Sequence, residues 1–123
     1  MNVIQPTQTI KPIEADLSKF PAVYKEDYVK KRVAKVLSAT QCWWFMPASN
    51  GFGRAGIPDF IACIRGQMIA IETKSAKGKL TAGQTREISK ISAADGCTFV
   101  VRDQETLKDL YNAIVMIRLL YKK

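Results

Sequence analysis

The chain has 123 residues, of which 47% are hydrophobic and 24% charged, proportions typical of one globular domain. It contains no histidine, which excludes Ser-His-Asp triads, Cys-His dyads, histidine-dependent metal nucleases and zinc sites that need imidazole. The 19 basic and 11 acidic residues give a net charge of +8. Such an excess on a small domain favours a polyanionic partner, with nucleic acid the first expectation and acidic lipid the second.

Three widely spaced cysteines, Cys42, Cys63 and Cys97, each lie in an apolar run. This odd number completes neither a four-cysteine zinc site nor a closed set of disulfides, so we expect reduced core residues in a cytoplasmic protein. We expect no membrane segment, because the apolar stretch 113–117 ends at Arg118, well short of the ~20 residues that a bilayer requires. The N-terminus also lacks the charged and apolar regions of a signal peptide.

Periodicity and turn residues divide the chain into an N-terminal extended arm, residues 1–22, and a single domain, residues 23–123. The arm holds three of the five prolines, and we expect it to lie over the domain or to reach a second subunit. The predicted elements, in chain order, are a helix over Tyr24–Thr40, a strand over Cys42–Met46, a glycine-rich loop over Ser49–Gly56, strands over Asp59–Ile64 and Met68–Lys74, a helix from Thr81 to Gly96, a strand over Cys97–Arg102 and a helix over Gln104–Tyr121. The order α-β-β-β-α-β-α predicts an α/β fold with a mixed sheet and helices on both faces.

The loop glycines Gly51, Gly53 and Gly56 match the dinucleotide-binding pattern G-x-G-x-x-G. In such sites the last glycine opens a helix whose N-terminus receives the pyrophosphate, whereas here Ile57, Pro58 and an apolar β-type run follow. A Walker phosphate loop is excluded because no Lys-Ser/Thr pair follows Gly56. We therefore interpret the segment as flexible backbone that lets a strand end approach something bulky.

The residues most indicative of chemistry are Asp59, Glu72 and Lys74. Glu72 and Lys74 are two apart in a predicted strand, so their side chains leave the same face. If Arg65-Gly66 forms a two-residue turn, Asp59 lies opposite Glu72 at the open end of a hairpin. A three-residue turn separates the faces of the two acids unless a bulge restores them.

Two carboxylates in contact repel each other, and a hard divalent cation such as Mg²⁺ relieves that repulsion. A water bound to Mg²⁺ can attack a phosphodiester while the ion polarises a non-bridging oxygen. The backbone carbonyl of Thr73 is a further candidate ligand, and Lys74 is a candidate to orient the water or stabilise charge. The structural alternative is that Asp59 caps a loop while Glu72 and Lys74 form an exposed ion pair of little energetic value.

Three segments carry a resemblance to a known family: Gly56-Ile57-Pro58-Asp59, Ile71-Glu72-Thr73-Lys74, and Leu80-Thr81 with Gln84. Together they resemble the VRR-Nuc branch of the PD-(D/E)XK nuclease superfamily, which implies a restriction-endonuclease-like fold. By this resemblance Asp59 and Glu72 hold Mg²⁺, for which Mn²⁺ can substitute, while Lys74 assists catalysis and Gln84 supports the site. The family also uses an acidic residue of the first helix as a metal ligand, for which Glu26 is the best match.

Two of these assignments have local alternatives. Gln84 also completes a capping box with Thr81, and Glu26 also fits an ion pair with Lys30 one helical turn later. Stand-alone phage-type members of the family further suggest a homodimer that cuts branched DNA such as the Holliday junction, acting in the host cytoplasm if phage-encoded.

Basic residues flank the predicted site on the first helix and between Lys74 and Lys90. The candidate DNA-binding residues are Arg54, Lys77, Lys79, Arg86, Lys30 and Arg32. Trp43 and Trp44 are candidates for stacking on unpaired bases, although strand alternation buries at least one of them. The last helix is apolar nearly all round towards its end, which predicts cover by the arm or by a second subunit, and we expect a two-fold dimer.

The sequence thus predicts a Mg²⁺-dependent, structure-selective endonuclease acting on branched DNA, in particular a Holliday junction resolvase. Two alternatives stay open: a flap or nicking nuclease with the same chemistry, and a basic DNA-binding module without catalysis. The last would bind DNA in a salt-sensitive and chelator-insensitive way and would cause no strand breaks.

Overall fold

A computed structural model describes residues 14–48 and 54–121 of the chain. Its elements are α1 (Glu26–Ala39), β1 (Trp43–Phe45), β2 (Phe60–Ile64), β3 (Gln67–Thr73), α2 (Ala82–Ala93), β4 (Cys97–Val101) and α3 (Gln104–Leu120). The predicted order α-β-β-β-α-β-α is therefore confirmed. The strands form a sheet in the order β1-β2-β3-β4, in which β4 runs parallel to β3 and the other neighbours are antiparallel.

The β2–β3 hairpin has the two-residue turn that the sequence left open. Arg65 and Gly66 have φ values of 54° and 82°, and two successive positive φ angles are typical of the tight turn whose twist matches a hairpin. The strand pairing that follows sets Phe60 opposite Ile71. One step further along this register, Asp59 comes opposite Glu72.

Apolar side chains of α1 and α3 pack against one face of the sheet. The buried residues of these helices are Val29, Val33, Val36 and Leu37 in α1, and Leu107, Leu110, Ile114 and Ile117 in α3. Alternate residues of the two central strands meet them, namely Phe60, Ala62, Ile64, Ile69 and Ile71. Each such side chain contributes roughly 1.5–3 kcal/mol when fully buried, so this layer holds the hairpin firmly in place.

The opposite face of the sheet is covered only in part. α2 packs beside β4, where Ser92 Oγ lies 3.0 Å from Thr98 Oγ1. Towards the other edge Trp43 is 64% exposed, and its ring contacts Phe45 with the centroids 5.5 Å apart. Trp44 turns to the core side, where its ring centroid lies 5.7 Å from that of Phe60. The tryptophan pair therefore alternates as the sequence indicated.

Part of the predicted N-terminal arm is packed on the domain. Phe20 is buried in the core, and the side chain of Arg32 lies over its ring, with Cζ 4.7 Å from the centroid. The Arg32 guanidinium donates to the carbonyl oxygens of Asp16 and Ser18 at 3.0 and 2.9 Å. Arg32 is therefore buried and holds residues 14–22 against the domain. Its burial corrects its predicted role as a DNA contact. Residues 1–13 of the arm lie outside the described part of the chain.

The C-terminal half of α3 exposes an apolar surface. Met116, Leu119 and Leu120 are exposed, Leu120 to 72%, so residues 14–22 do not provide the cover that the sequence predicted for this helix. Within the described ranges, no helix has the length and apolar character needed to cross a membrane. Cys42 is buried, Cys63 and Cys97 are partly buried, and all three are free thiols.

Gly56 brings the loop before Asp59 against the start of α2. Its φ is +85°, and a Cβ built on it would lie 2.7 Å from the backbone nitrogen of Gln84 and closer still to the carbonyl of Gly83. Only a residue without a side chain allows this approach. The sequence predicted that the glycine-rich loop lets a strand end approach a bulky neighbour. Among the described residues of that loop, Gly56 makes such an approach.

Two glycine substitutions separate the cost of the left-handed backbone from the cost of the close approach. Gly66→Ala meets the same positive φ but no atom within 4 Å, so we expect a loss of about 1–2 kcal/mol. Gly56→Ala adds a clash with the backbone of α2, and we expect at least ~2 kcal/mol more. Urea unfolding of both variants measures the difference, and equal losses would contradict the contact.

The two tryptophans should differ in their effect on stability. Trp44→Ala removes a ring packed on Phe60 and a hydrogen bond from Nε1 to Ser38 Oγ of 3.2 Å, so we expect a loss of about 2 kcal/mol or more. Trp43→Ala removes an exposed ring, and we expect less than about 1 kcal/mol. Thermal or urea unfolding measures both, and a larger loss for Trp43→Ala would be inconsistent with the observed alternation.

Candidate functional site

Asp59 and Glu72 converge at the open end of the hairpin. Glu72, the next-to-last residue of β3, is almost fully buried, with an exposed fraction of only 2%. Asp59 Oδ2 accepts hydrogen bonds from the backbone nitrogen and the hydroxyl of Thr73, at 2.9 and 2.6 Å. Glu72 Oε2 is buried and accepts no hydrogen bond from a donor among the described residues. The group that its carboxyl faces is the carboxyl of Asp59, and the two side chains hydrogen-bond to each other.

The two carboxyl groups have opposite protonation preferences. Burial raises the pKa of Glu72, and the hydrogen bond to Asp59 and the charge of Asp59 raise it further, to about 8. Burial alone would also raise the pKa of Asp59, but hydrogen bonds from Glu72 and Thr73 outweigh it and hold that pKa below its usual value. Without a bound cation, the pair therefore shares one proton at neutral pH, carried by Glu72.

Two lysines neighbour the acidic pair from different elements. Lys74 follows Glu72 by two residues, and its charge acts to lower the pKa of Glu72. Lys30, on α1, is partly buried; burial by itself lowers its pKa, but the negative charges of Asp59 and Glu26 outweigh it and raise the pKa. The sequence predicted DNA binding or an ion pair with Glu26 for Lys30, but not its position near Asp59, since no local pattern shows which part of the sheet α1 covers.

Glu26 lies near the pair but forms its direct contact elsewhere. Its Oε2 is 3.2 Å from Lys30 Nζ, the ion pair that the sequence offered as an alternative to metal binding. Its charge still contributes to the raised pKa of Glu72. Over residues 14–48 and 54–121, no three acidic or cysteine side chains come together closely enough to hold a metal. The candidate ligand set here is the Asp59–Glu72 pair, with the Thr73 carbonyl and Glu26 remaining predictions.

Gln84 occupies its capping position at the start of α2. Its side-chain Oε1 accepts a hydrogen bond from the backbone nitrogen of Thr81 at 2.9 Å. Its backbone nitrogen donates to Thr81 Oγ1 at 3.1 Å. The capping alternative is therefore confirmed, and a supporting role at the site stays a prediction. The close approach of Gly56 places this end of α2 against the loop that leads into Asp59.

A buried acid organises the basic residues of α2. Glu87 is buried and pairs directly with Arg54, whose side chain is 67% exposed. Arg86 and Lys90 approach the same carboxylate at 3.7 and 3.9 Å. The predicted DNA ligands Arg54 and Arg86 thus belong to one cluster. In the sequence, Glu87 is the single acid between Lys74 and Lys90, and that isolation was the available signal for its anchoring role.

The fold is shared with solved structures. One of these, titled "VRR_NUC domain", superposes with a TM-score of 0.63 at 24% sequence identity, over 73% of this chain and 97% of that chain. No protein-family model matches the chain, and no curated protein is significantly similar to it in sequence. The likeness confirms the predicted fold class, a restriction-endonuclease-like mixed sheet flanked by helices.

The raised pKa of Glu72 predicts a pH-dependent stability. The folded carboxyl keeps its proton to about pH 8, whereas the unfolded one ionises near 4.5. The folded state binds more protons between these values, so the free energy of unfolding falls as pH rises through this window. Glu72→Gln has no proton to lose, so relative to wild type it should gain about 1 kcal/mol or more between pH 5 and pH 8.

Urea unfolding at the two pH values, with Glu105→Gln on the exposed side of α3 as the matched control, measures this effect. The control should follow wild type at both values. A constant difference between Glu72→Gln and wild type at the two pH values would show that Glu72 is ionised in the folded protein, contrary to the arrangement described.

Proposed function

We propose that this protein is a metal-dependent endonuclease of the VRR-Nuc type that hydrolyses phosphodiester bonds in branched DNA, specifically a Holliday junction resolvase. The observation that carries the proposal is the convergence of Asp59 and Glu72 beside Lys74, at the open end of a hairpin in a fold shared with a solved VRR_NUC domain. The chain's net charge of +8 fits a nucleic-acid substrate.

The carboxyl pair fits a hard divalent cation. Glu72 presents a buried oxygen without a donor among the described residues, and burial together with the neighbouring Asp59 raises its pKa, so that it keeps its proton at neutral pH. Mg²⁺ is commonly held by one or two protein carboxylates together with phosphate oxygens of the substrate, so two acids suffice here. Bound in place of that proton, Mg²⁺ or Mn²⁺ would supply an activated water and neutralise phosphate charge.

The chain's own residues position the reacting groups. Thr73 holds the Asp59 carboxylate through two hydrogen bonds, which fixes one ligand before substrate arrives. Lys74 lies on the strand face of Glu72, where an ammonium can contact a phosphate oxygen or orient the attacking water. Lys30 is a second cation facing Asp59, and the Gln84 amide is a further candidate for the water. The proposed contacts to the DNA backbone are Arg54, Lys77, Lys79 and Arg86.

We further propose that the active form is a homodimer. The exposed Met116, Leu119 and Leu120 make an apolar patch at the end of α3, and such a patch on a small domain is typical of a subunit interface. A two-fold pair of subunits presents two active sites, which matches the two equivalent scissile strands of a four-way junction.

Cleavage of labelled DNA tests the proposed chemistry. With Mg²⁺ present, wild type should cut a four-way junction, while Asp59→Asn, Glu72→Gln and Lys74→Met should each lose roughly 100-fold or more in rate, because each removes a ligand or a charge-stabilising group. All three should retain junction binding. The matched controls are Asp109→Asn and Lys108→Met, both on the exposed side of α3, and both should cut at the wild-type rate.

Each other outcome points to a different function. Cleavage of flaps or nicked duplex in preference to junctions would replace resolvase by a flap or nicking nuclease with the same site. Salt-sensitive binding without strand breaks in Mg²⁺ or Mn²⁺ would indicate a non-catalytic DNA-binding module. Undiminished cutting by Asp59→Asn would overturn the site assignment.

A further inference from the structure

A cavity of about 550 Å³ lies between α2 and the β2–β3 hairpin. Its apolar wall includes Ile57, Pro58, Ile61, Met68 and Ile91. This volume falls within the range of sites that accept small organic groups. Neither the carboxyl pair nor the proposed chemistry makes use of it.

Charged side chains line one side of the cavity: the cations Arg54 and Lys90, the buried acid Glu87 and the exposed acid Asp95. Arg54 and Lys90 line it together with the buried Glu87, which pairs with Arg54 and lies 3.9 Å from Lys90. Because Glu87 is itself buried, it holds these cations at the rim, while their side chains remain 67% and 63% exposed. Exposed guanidinium and ammonium groups beside an apolar wall can bind a ligand that is part phosphate and part flat, weakly polar ring.

The cavity lies on the same face of the hairpin as the candidate active site. Ile61 and Met68 leave the same face of the hairpin as Asp59 and Glu72, since alternate residues share a face, and Pro58 directly precedes Asp59. Towards the β1 edge of the sheet, Phe45 on β1 pairs with Ile61 on β2. A nucleic-acid strand bound at the carboxyl pair can therefore extend along this face to the cavity.

We propose that this cavity receives one unpaired nucleotide of the DNA substrate, with its base against Ile61, Met68 and Ile91 and its phosphate on Arg54 and Lys90. A base within a duplex cannot reach a recessed wall without leaving the stack, so the cavity selects DNA with an unpaired nucleotide near the cut. A second copy of the chain does not suit the cavity, because it would bring the same cations against this rim. The inference deepens the proposed nuclease function and rests on it.

The test measures DNA binding with EDTA present, so that it does not depend on cleavage. The probes are a labelled duplex with one unpaired adenosine and the same duplex with an abasic site at that position, which keeps the phosphate and removes the base. We expect wild type to bind the adenosine probe about tenfold more tightly than the abasic probe. Met68→Glu, which places a charge on the cavity wall, should reduce this ratio to about one.

Two further variants make the result specific. Val23→Glu, at an exposed residue ahead of α1, changes the net charge equally and should keep the tenfold ratio, even though it can weaken overall binding. Ala94→Glu, at an exposed position of the cavity wall, repeats the Met68→Glu test without altering a strand. Lys90→Gln should weaken binding of both probes by the same factor, since it removes a phosphate contact and leaves the base contacts.

Equal affinities of wild type for the two probes would overturn the nucleotide site, as would a tenfold ratio that survives both Met68→Glu and Ala94→Glu. Failure of the nuclease proposal looks different: the base-dependent ratio would be present in EDTA, but no strand would be cut when Mg²⁺ is added. The two ideas are therefore separable in one set of protein samples.

Discussion

Two carboxyl groups pressed together at the mouth of a hairpin are the constraint on which this molecule's function depends. Asp59 and Glu72 meet because a two-residue turn at Arg65-Gly66 fixes the strand register, and they cannot separate because the core packs the hairpin from the other face. In water two such acids would both ionise and move apart. Here they share a proton, with Glu72 protonated up to about pH 8. Two acids held in contact in this way support the proposal that a divalent cation binds between them.

The surroundings of this pair are positioned by equally local contacts. Gly56 carries the loop before Asp59 onto the backbone of α2, so the helix with the basic cluster is tied to the strand with the acids. The buried carboxylate of Glu87 then forms ion pairs with Arg54, Arg86 and Lys90. On the far side of the pair, Lys30 comes from α1. Negative charge at the centre and positive charge around it is an arrangement that would draw a phosphate backbone towards the acidic pair and the cation proposed there.

Much of the fold followed from the sequence, because its signals were local. Helical spacing of apolar residues predicted α1 and α3, the end signals at Thr81 and Gly96 predicted α2, and the turn residues predicted the hairpin. β1 is shorter than its apolar run. The face shared by Asp59 and Glu72 depended on a turn length that no pattern decided, so the register needed the structure. Long-range contacts were out of reach in the same way. Arg32 looked like one more surface cation, and only the folded chain shows it buried against Phe20 and residues 14–22.

The sequence predicted the acids of the candidate site but not all of its cations, and it did not predict the cavity. A short sequence motif identifies Asp59, Glu72 and Lys74. Lys30 and Glu87 instead act on residues of other elements, distant in the chain, so no local motif identifies them. The most direct test of the account is anomalous diffraction from crystals of the protein soaked in Mn²⁺. The account predicts an anomalous peak within about 2.5 Å of carboxylate oxygens of both Asp59 and Glu72. A saturated crystal with no peak at this position, and the two carboxyl groups still hydrogen-bonded to each other, would contradict it.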